Sequence, residues 1–309
     1  MVFESGSRSP YLSIIVLVYQ NIDMLWETLD SILVQTYPSV ELIICDDASD
    51  SFDLERVRTY VNKTKQINIK NVIIHQNIAN VGTVKNANIA VNLSKGEYIK
   101  FISPGDLFFN YMIVENVISS MQNNKWDVVN TLCAVYDQDL IKFRGFYPTQ
   151  SNLKSMGNKS AKRQYATLSG FNAIGAVGVF IKRSVLHKIG GFDERYLLTE
   201  DWPTWLKMTR SGIKIHSLSI VSVKYRLGGI STNKKVNPIL EKDRIMIMQY
   251  ESLQHTEFLS PFYRRWLMLQ YKESMIRHSR YQLIKLLVCN LDYFLVRVIR
   301  RFIYLRALN

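Results

Sequence analysis

The chain has 309 residues, 47% apolar and 21% charged, with 14 Gly and 7 Pro, a composition that can bury a substantial core and excludes wholesale disorder or a collagen-like repeat. A net charge of +13 favours anionic partners such as a nucleotide or an acidic membrane surface. Ten Lys or Arg stand against two acids between Tyr263 and Asn309, so that tail carries +8 and the first 262 residues only +5, which gives nucleic-acid binding no support from the main body.

Tyr11 to Tyr19 (YLSIIVLVY) is a β-branched run, and Asn21 to Val34 follows with helical apolar spacing at Met24, Leu25, Leu29, Ile32 and Leu33. Val40 to Cys45 is a second buried strand, halted by the polar cluster Asp46 to Ser51, and Phe52 to Lys63 is helical. Ile69 to His75 is a third strand, Asn86 to Leu93 a short helix, and Tyr98 to Ile102 a fourth strand ending at Ser103-Pro104-Gly105-Asp106. Four strand-helix alternations in about 110 residues predict an α/β fold with a doubly wound, mostly parallel sheet.

Asn110 to Gln122 is a further helix and Asp127 to Tyr136 a further strand. Thr149 to Thr167 is polar and basic without an apolar period, which predicts a long mobile loop of the kind that covers a site. Ala176 to Ile181 is a strand, Ser184 to Ile189 a short helix ended by Gly190-Gly191, and Glu200-Asp201 precede a helix with Pro203 in its first turn. Ile215 to Tyr225 closes the domain as a strand, and helices follow from about Pro238. No repeat of 20 to 50 residues is present.

Three distant cysteines, Cys45, Cys133 and Cys289, form no CxxC pair, so neither a disulfide framework nor a zinc site is expected, and a reducing cytoplasmic compartment fits. Glu4 and Arg8 before a short apolar run do not make a secretory leader. The glycosylation-type triplets at Asn62, Asn92 and Asn158 then occur by chance.

In open α/β sheets ligands bind beyond the carboxyl ends of the strands, and polar groups fall there three times: Tyr19-Gln20, Asp46-Asp47 and Asp106. Any one of these acids could merely cap a helix or form a turn; three together point to a site. No GxGxxG follows the first strand, which argues against a dinucleotide-dependent dehydrogenase.

Ser13 to Gln20 (SIIVLVYQ), Ser31 to Tyr37 (SILVQTY), Cys45 to Asp50 (CDDASD), Asn80-Val81-Gly82, Asn88, Gly96-Glu97-Tyr98, Asp106, Gly190 to Asp193 (GGFD), Glu200-Asp201 and Tyr225-Arg226 form an ordered set. In order and spacing, from about Tyr11 to Ser231, it resembles the family 2 inverting glycosyltransferases of GT-A fold, of the type that builds bacterial capsule and other surface polysaccharides. The resemblance implies a nucleotide-sugar donor. Leu17, Tyr19, Asp46 and Asp47 would lie around its base, Lys85 near its phosphates, and Asp106 would hold a divalent cation, Mg²⁺ or Mn²⁺. It also implies Asp201 as general base, with Glu200 on the acceptor side. Trp202 and Trp205 are candidate sugar-stacking residues of the acceptor site, with core packing as the alternative. This chain departs from the family pattern where the acidic motif is reduced to SPGD, where Ala87 replaces a common Arg, and where Gly228 replaces a frequent His.

The expected division is a glycosyltransferase domain over 1–232 and a basic helical extension over 233–309. Leu283 to Val288 and Tyr293 to Leu308 are apolar but interrupted by charge, too much so for a spanning helix. Arg297, Arg300 and Arg301 share a helical face with Asn290, which fits an interfacial helix on an anionic membrane. The other reading is a helical subdomain packed on the catalytic domain or a second subunit. The sequence thus predicts an enzyme at the cytoplasmic face of the cell membrane that transfers a sugar to a lipid-linked saccharide. The reduced acidic motif leaves a rival: a non-catalytic nucleotide-sugar or glycan-binding partner of an active enzyme.

Overall fold

A computed structural model of the chain describes residues 11–229, 232, 237–276 and 279–306, with the backbone alone for 299–306. Strand β1 (Leu12–Val18) leads through helix α1 (Leu25–Leu33) to β2 (Val40–Asp46), and α2 (Leu54–Thr64) to β3 (Ile69–Gln76). Helix α3 (Thr83–Leu93) and β4 (Tyr98–Ile102) complete a parallel block in the order β3-β2-β1-β4. Alternate residues of β1 face opposite sides, as the pleat requires. Leu12, Ile14, Val16 and Val18 enter a cluster with Leu25, Leu29 and Ile32 of α1, whereas Ile15 joins Val84, Ala87 and Ala90 of α3 on the other face.

The chain then forms the short β5 (Leu107–Phe108), α4 (Ile113–Asn123), β6 (Val128–Tyr136) and the edge strand β7 (Phe143–Tyr147). Helices α5 (Gln150–Gly157) and α6 (Ala161–Leu168) precede β8 (Val179–Lys182), α7 (Arg183–Ile189), α8 (Asp201–Arg210) and β9 (His216–Arg226). β8 joins β4 antiparallel and carries the sheet on through β6, β9 and β5, with β7 paired to β6. The architecture is the expected α/β one: a mixed sheet whose parallel block β3-β2-β1-β4 continues into antiparallel pairings, with helices packed on both faces.

The stretch 149–167, expected as a mobile loop, is instead helical. Thr149 accepts from the amide of Asn152 and Ser160 from that of Arg163, so each hydroxyl caps a separate helix. Leu153 and Met156 are buried on α5, and Tyr165 and Leu168 on α6. The apolar spacing is real but is split over two eight-residue helices, and the polar break between them hides it.

Beyond β9 come α9 (Pro238–Ile247), α10 (Pro261–Ile276), α11 (Arg280–Val288) and α12 (Leu291–Arg306). Ile247, Met248, Leu259, Trp266 and Leu267 belong to the same core cluster as α3 and α8, so the first part of this segment is built into the catalytic body. No described helix is long and apolar enough to cross a membrane. Of the predicted basic face, Arg297 is described, and it pairs with Glu273 at 2.7 Å; the side chains of Arg300 and Arg301 lie outside the described residues, as do Arg277 and the boundary residues 233–236.

Candidate active site

The carboxyl ends of β1, β2 and β4 bring the predicted acids to one edge, with Val18 opposite Asp46 and Val16 opposite Ile102. Asp46 is buried and accepts from both the amide (3.0 Å) and hydroxyl (2.5 Å) of Ser49, whose hydroxyl in turn accepts from the amide of Gln20 at 2.8 Å. It therefore ties the turn after β2 to the turn after β1. Asp47 accepts from Asn77 Nδ2 (2.9 Å) and from the amides of Val81 (2.8 Å) and Gly82 (2.9 Å), which fixes the loop entering α3. Gly82 has φ of 86°, and a Cβ there would meet the Leu197 carbonyl at 3.0 Å, so only glycine suits this position. Around these anchors Leu17 is half-buried, Lys85 is exposed on the first turn of α3, and Tyr19 is 46% exposed beside the open edge.

The acidic motif is clamped from two sides. Thr28 of α1 accepts from the Gly105 amide and donates to the Asp106 carbonyl, both at 2.9 Å. Arg226, at the end of β9, donates through its amide to Asp106 Oδ1 (3.1 Å) and through Nε to the Gly105 carbonyl (3.0 Å), and pairs with Glu27. That pairing makes the Arg226 guanidinium a brace for the motif. Asp106 is 6% exposed; burial pushes its carboxyl up to about 7, opposed by the Arg226 amide and by Lys100. Lys100 of β4 is fully buried, donates to the Val177 carbonyl, and is lowered to about 8 by burial.

No cluster of three or more His, Cys, Asp or Glu that could hold a metal occurs among the described residues. Asp106 supplies one hard carboxylate whose Oδ2 has no protein donor among the described residues. That donor set fits a Mg²⁺- or Mn²⁺-type cation whose remaining ligands are phosphate oxygens and water.

The second acidic pair lies at the start of α8. Asp201 Oδ2 accepts from Asn172 Nδ2 at 2.8 Å and Oδ1 from the Trp202 amide at 2.6 Å, with the Ala176 amide a further donor. Glu200 and Asp201 border a cavity of about 20 Å³ whose other walls include Phe101, Val179, Ile181 and Phe192. This apolar surrounding raises the proton affinity of both carboxyls, and repulsion from Asp201 adds to the effect at Glu200, which is raised to about 8. The donors collected by Asp201 oppose the effect of burial on its carboxyl.

Asn88 links the two ends. Its side chain donates to and accepts from the backbone of Phe192, each at 2.9 Å, so α3 on the donor side holds the GGFD turn that leads to Glu200.

Trp202 and Trp205 are not open to a sugar. They are 3% and 4% exposed, and their indole N–H groups donate to the carbonyls of Leu168 and Ile174. The ring bodies fill the core while the polar tips find backbone partners, a usual arrangement for buried Trp. Asn172 and Lys100 were missed by sequence reasoning. Asn172 carries no local signal, but Lys100 is a lone charge in an apolar strand.

Residues 13–189 match the model of Glycosyl transferase family 2. The chain belongs to that family. It is similar to UDP-Glc:alpha-D-GlcNAc-diphosphoundecaprenol beta-1,3-glucosyltransferase WfaP of Escherichia coli, with 28% identity over 72% of this chain and 80% of that protein. Its fold matches S. aureus TarS 1-349 in complex with UDP-GlcNAc (TM-score 0.61, 18% identity, 88% of this chain and 74% of that one). It also matches the mannosyltransferase PcManGT from Pyrobaculum calidifontis in complex with GDP-Man and Mn²⁺ (TM-score 0.58, 15% identity, 96% and 84%). The match spans 44% of the full TarS chain and 36% of a Rickettsia felis glycosyltransferase, so some relatives carry additional sequence. As a member of family 2 the chain is a glycosyltransferase.

Proposed function

We propose that the protein is an inverting glycosyltransferase that moves a hexosyl or deoxyhexosyl unit from a nucleoside-diphosphate-sugar to a lipid-linked saccharide during surface-polysaccharide assembly. The observation that carries the reading is the Glu200-Asp201 pair, oriented by Asn172 and raised in proton affinity by burial. Such a group can accept a proton from an acceptor hydroxyl as that oxygen attacks the anomeric carbon opposite the departing nucleotide. Asp201 is the base. Glu200 faces the acceptor side. The edge formed by Leu17, Tyr19, Asp46 and Asp47 receives the base of the donor, and Lys85 its phosphates.

Asp106 would hold a divalent cation, Mg²⁺ or Mn²⁺, which when bound neutralises charge on the diphosphate. For the acceptor side, Tyr147 and Phe171 replace the two tryptophans. Tyr147 is 37% exposed, packs on Gly175 and donates to the carbonyl of Asn172, while Phe171 is 42% exposed next to Asn172. A lipid-linked acceptor is supported by the likeness to the E. coli enzyme, whose name specifies a diphosphoundecaprenol acceptor.

Contact with an anionic membrane at the cytoplasmic face is supported by α11, where Tyr281, Ile284 and Val288 are 76%, 62% and 64% exposed on one helical face near Lys285. Basic residues near an anionic surface contribute about 1 kcal/mol each.

The test is turnover of a panel of nucleotide sugars with GlcNAc-diphosphoundecaprenol, in Mg²⁺, Mn²⁺ or EDTA, by the wild type and by Asp201→Asn and Asp106→Ala. Transfer of one donor with inversion, lost in Asp201→Asn while UDP binding persists, is expected. Turnover by Asp201→Asn at the wild-type rate overturns the assignment, and undiminished EDTA-resistant transfer by Asp106→Ala removes the cation. Binding of nucleotide sugar without transfer to any lipid-linked acceptor would favour the partner-protein reading.

A further inference from the structure

The segment that delivers the base is held from behind by a carboxylate of the C-terminal region. Asp243, on α9, is 2% exposed, and Asp243 Oδ2 accepts from three successive amides, those of Leu197 (3.1 Å), Leu198 (2.8 Å) and Thr199 (3.1 Å). Asp243 forms no ion pair among the described residues, so these amides are what stabilise its charge in the interior. The next two residues are Glu200 and Asp201. On the opposite side, the Leu197 carbonyl accepts from the amide of Val84 in the first turn of α3 (3.2 Å). The loop is thereby pinned between the donor-side helix and α9.

A second carboxylate of the same region works in parallel. Glu251 is 5% exposed and binds Arg195, just before the loop, at 2.8 Å, and Arg210, at the end of α8, at 3.1 Å. Its backbone carbonyl accepts from the Tyr165 hydroxyl of α6 at 2.8 Å. Two buried acids from beyond β9 therefore grip both ends of the segment and helix that carry the pair. Neither acid lies within the stretch matched by the family model.

We infer that Asp243 is a positioning residue for sugar transfer, fixing the 197–199 backbone so that Asp201 meets the acceptor hydroxyl, and that the C-terminal region thereby completes the active site. This rests on the assignment of Asp201 as base. A displacement of about 1 Å at a reacting group costs about 10²-fold in rate, and release of three amides from one anchor permits movement on that scale. Asp243 has a second influence: together with Asp201 it is the negative charge that acts on Glu200 and raises its proton affinity.

The experiment compares the full-length wild type with Asp243→Asn, Asp243→Glu and Asp201→Asn, using UDP-glucose, or whichever nucleotide sugar the wild type turns over, with GlcNAc-diphosphoundecaprenol. Asp243→Asn is expected to lower kcat about 10²-fold with donor KM within about twofold, and to move the pH-profile limb that reports the Glu200-Asp201 pair to lower pH because a negative charge has left the vicinity of Glu200. Asp243→Glu, which restores that charge, is expected to return the limb toward wild type. An unchanged kcat and pH limb in Asp243→Asn, with Asp201→Asn inactive, overturns the positioning role alone; an active Asp201→Asn overturns the base assignment beneath it. If Asp243→Asn does not fold, amide hydrogen exchange of the wild type decides: slow exchange at 197–199, matching α8, supports the anchor, and rapid exchange there overturns it.

Discussion

The two acidic ends of the site use the same side chains in opposite ways. At the proposed nucleotide edge Asp46 and Asp47 place their oxygens on amides, a hydroxyl and a side-chain amide, tying the turns after β1 and β2 to the entrance of α3. At the transfer end Glu200 and Asp201 sit against Phe101, Val179, Ile181 and Phe192, where low polarity opposes their charge. Asp46 and Asp47 hold the loops of a cradle, whereas at Glu200 and Asp201 burial raises proton affinity, with repulsion from Asp201 adding to it at Glu200, the property a proton-exchanging pair needs. Chemical role thus follows from surroundings rather than from residue type.

The largest effect that would sharpen this contrast is a split between binding and turnover. Asp201→Asn should lower kcat by about 10³-fold, within the range for losing a positioned general base, while UDP affinity by calorimetry stays within about twofold. Asp47→Asn should do the reverse. Whichever way its amide turns, an NH₂ group faces the amide of Val81 or Gly82, at a cost of about 1 to 3 kcal/mol, and the donor KM rises about tenfold or more with kcat largely kept. Equal losses of kcat and affinity in both variants would break the division.

A smaller effect is expected at Asn172. Asn172→Ala removes a donor that favours ionised Asp201, so the pair binds its proton more tightly. The rising limb of the pH profile should move to higher pH and kcat near neutrality fall about tenfold, close to the loss of one charge-assisted hydrogen bond. A limb that stays in place would show that Asn172 serves only the fold of the 169–175 segment.

These positions also mark how far the sequence could be read. Strands β1 to β4 were legible because each is a largely apolar run despite Glu41, Lys70 and Lys100 within them, and Asp46, Asp47 and Asp106 because they stand at or shortly after the ends of such runs. Helices α5 and α6 were not, since their buried residues divide between two short elements with a polar break. Trp202 and Trp205 carried two meanings in sequence, and only the carbonyls of Leu168 and Ile174, remote in the chain, decide for the core. Asn172 likewise gains its meaning from Asp201, 29 positions later. Lys100 was visible as a charge in the apolar run YIKFI, but its seat under the acidic motif depends on Val177, which arrives from the other half of the sheet.

The smallest predicted effect is on stability and concerns Glu200. Its carboxyl binds a proton more tightly in the folded protein, at about 8, than in the unfolded chain, near 4.5. The folded state therefore holds more protons between those values, and stability falls as pH rises through that window. Glu200→Gln keeps the shape and removes the titration. Its Tm should match that of the wild type near pH 5 and exceed it by several degrees at pH 9, in the direction the linkage fixes. Asp47→Asn, measured beside it, should lose Tm at both pH values, because what it loses is a set of hydrogen bonds rather than a proton. If the two variants show the same pH dependence of Tm, folding does not raise the proton affinity of Glu200, and its contrast with Asp47 is gone.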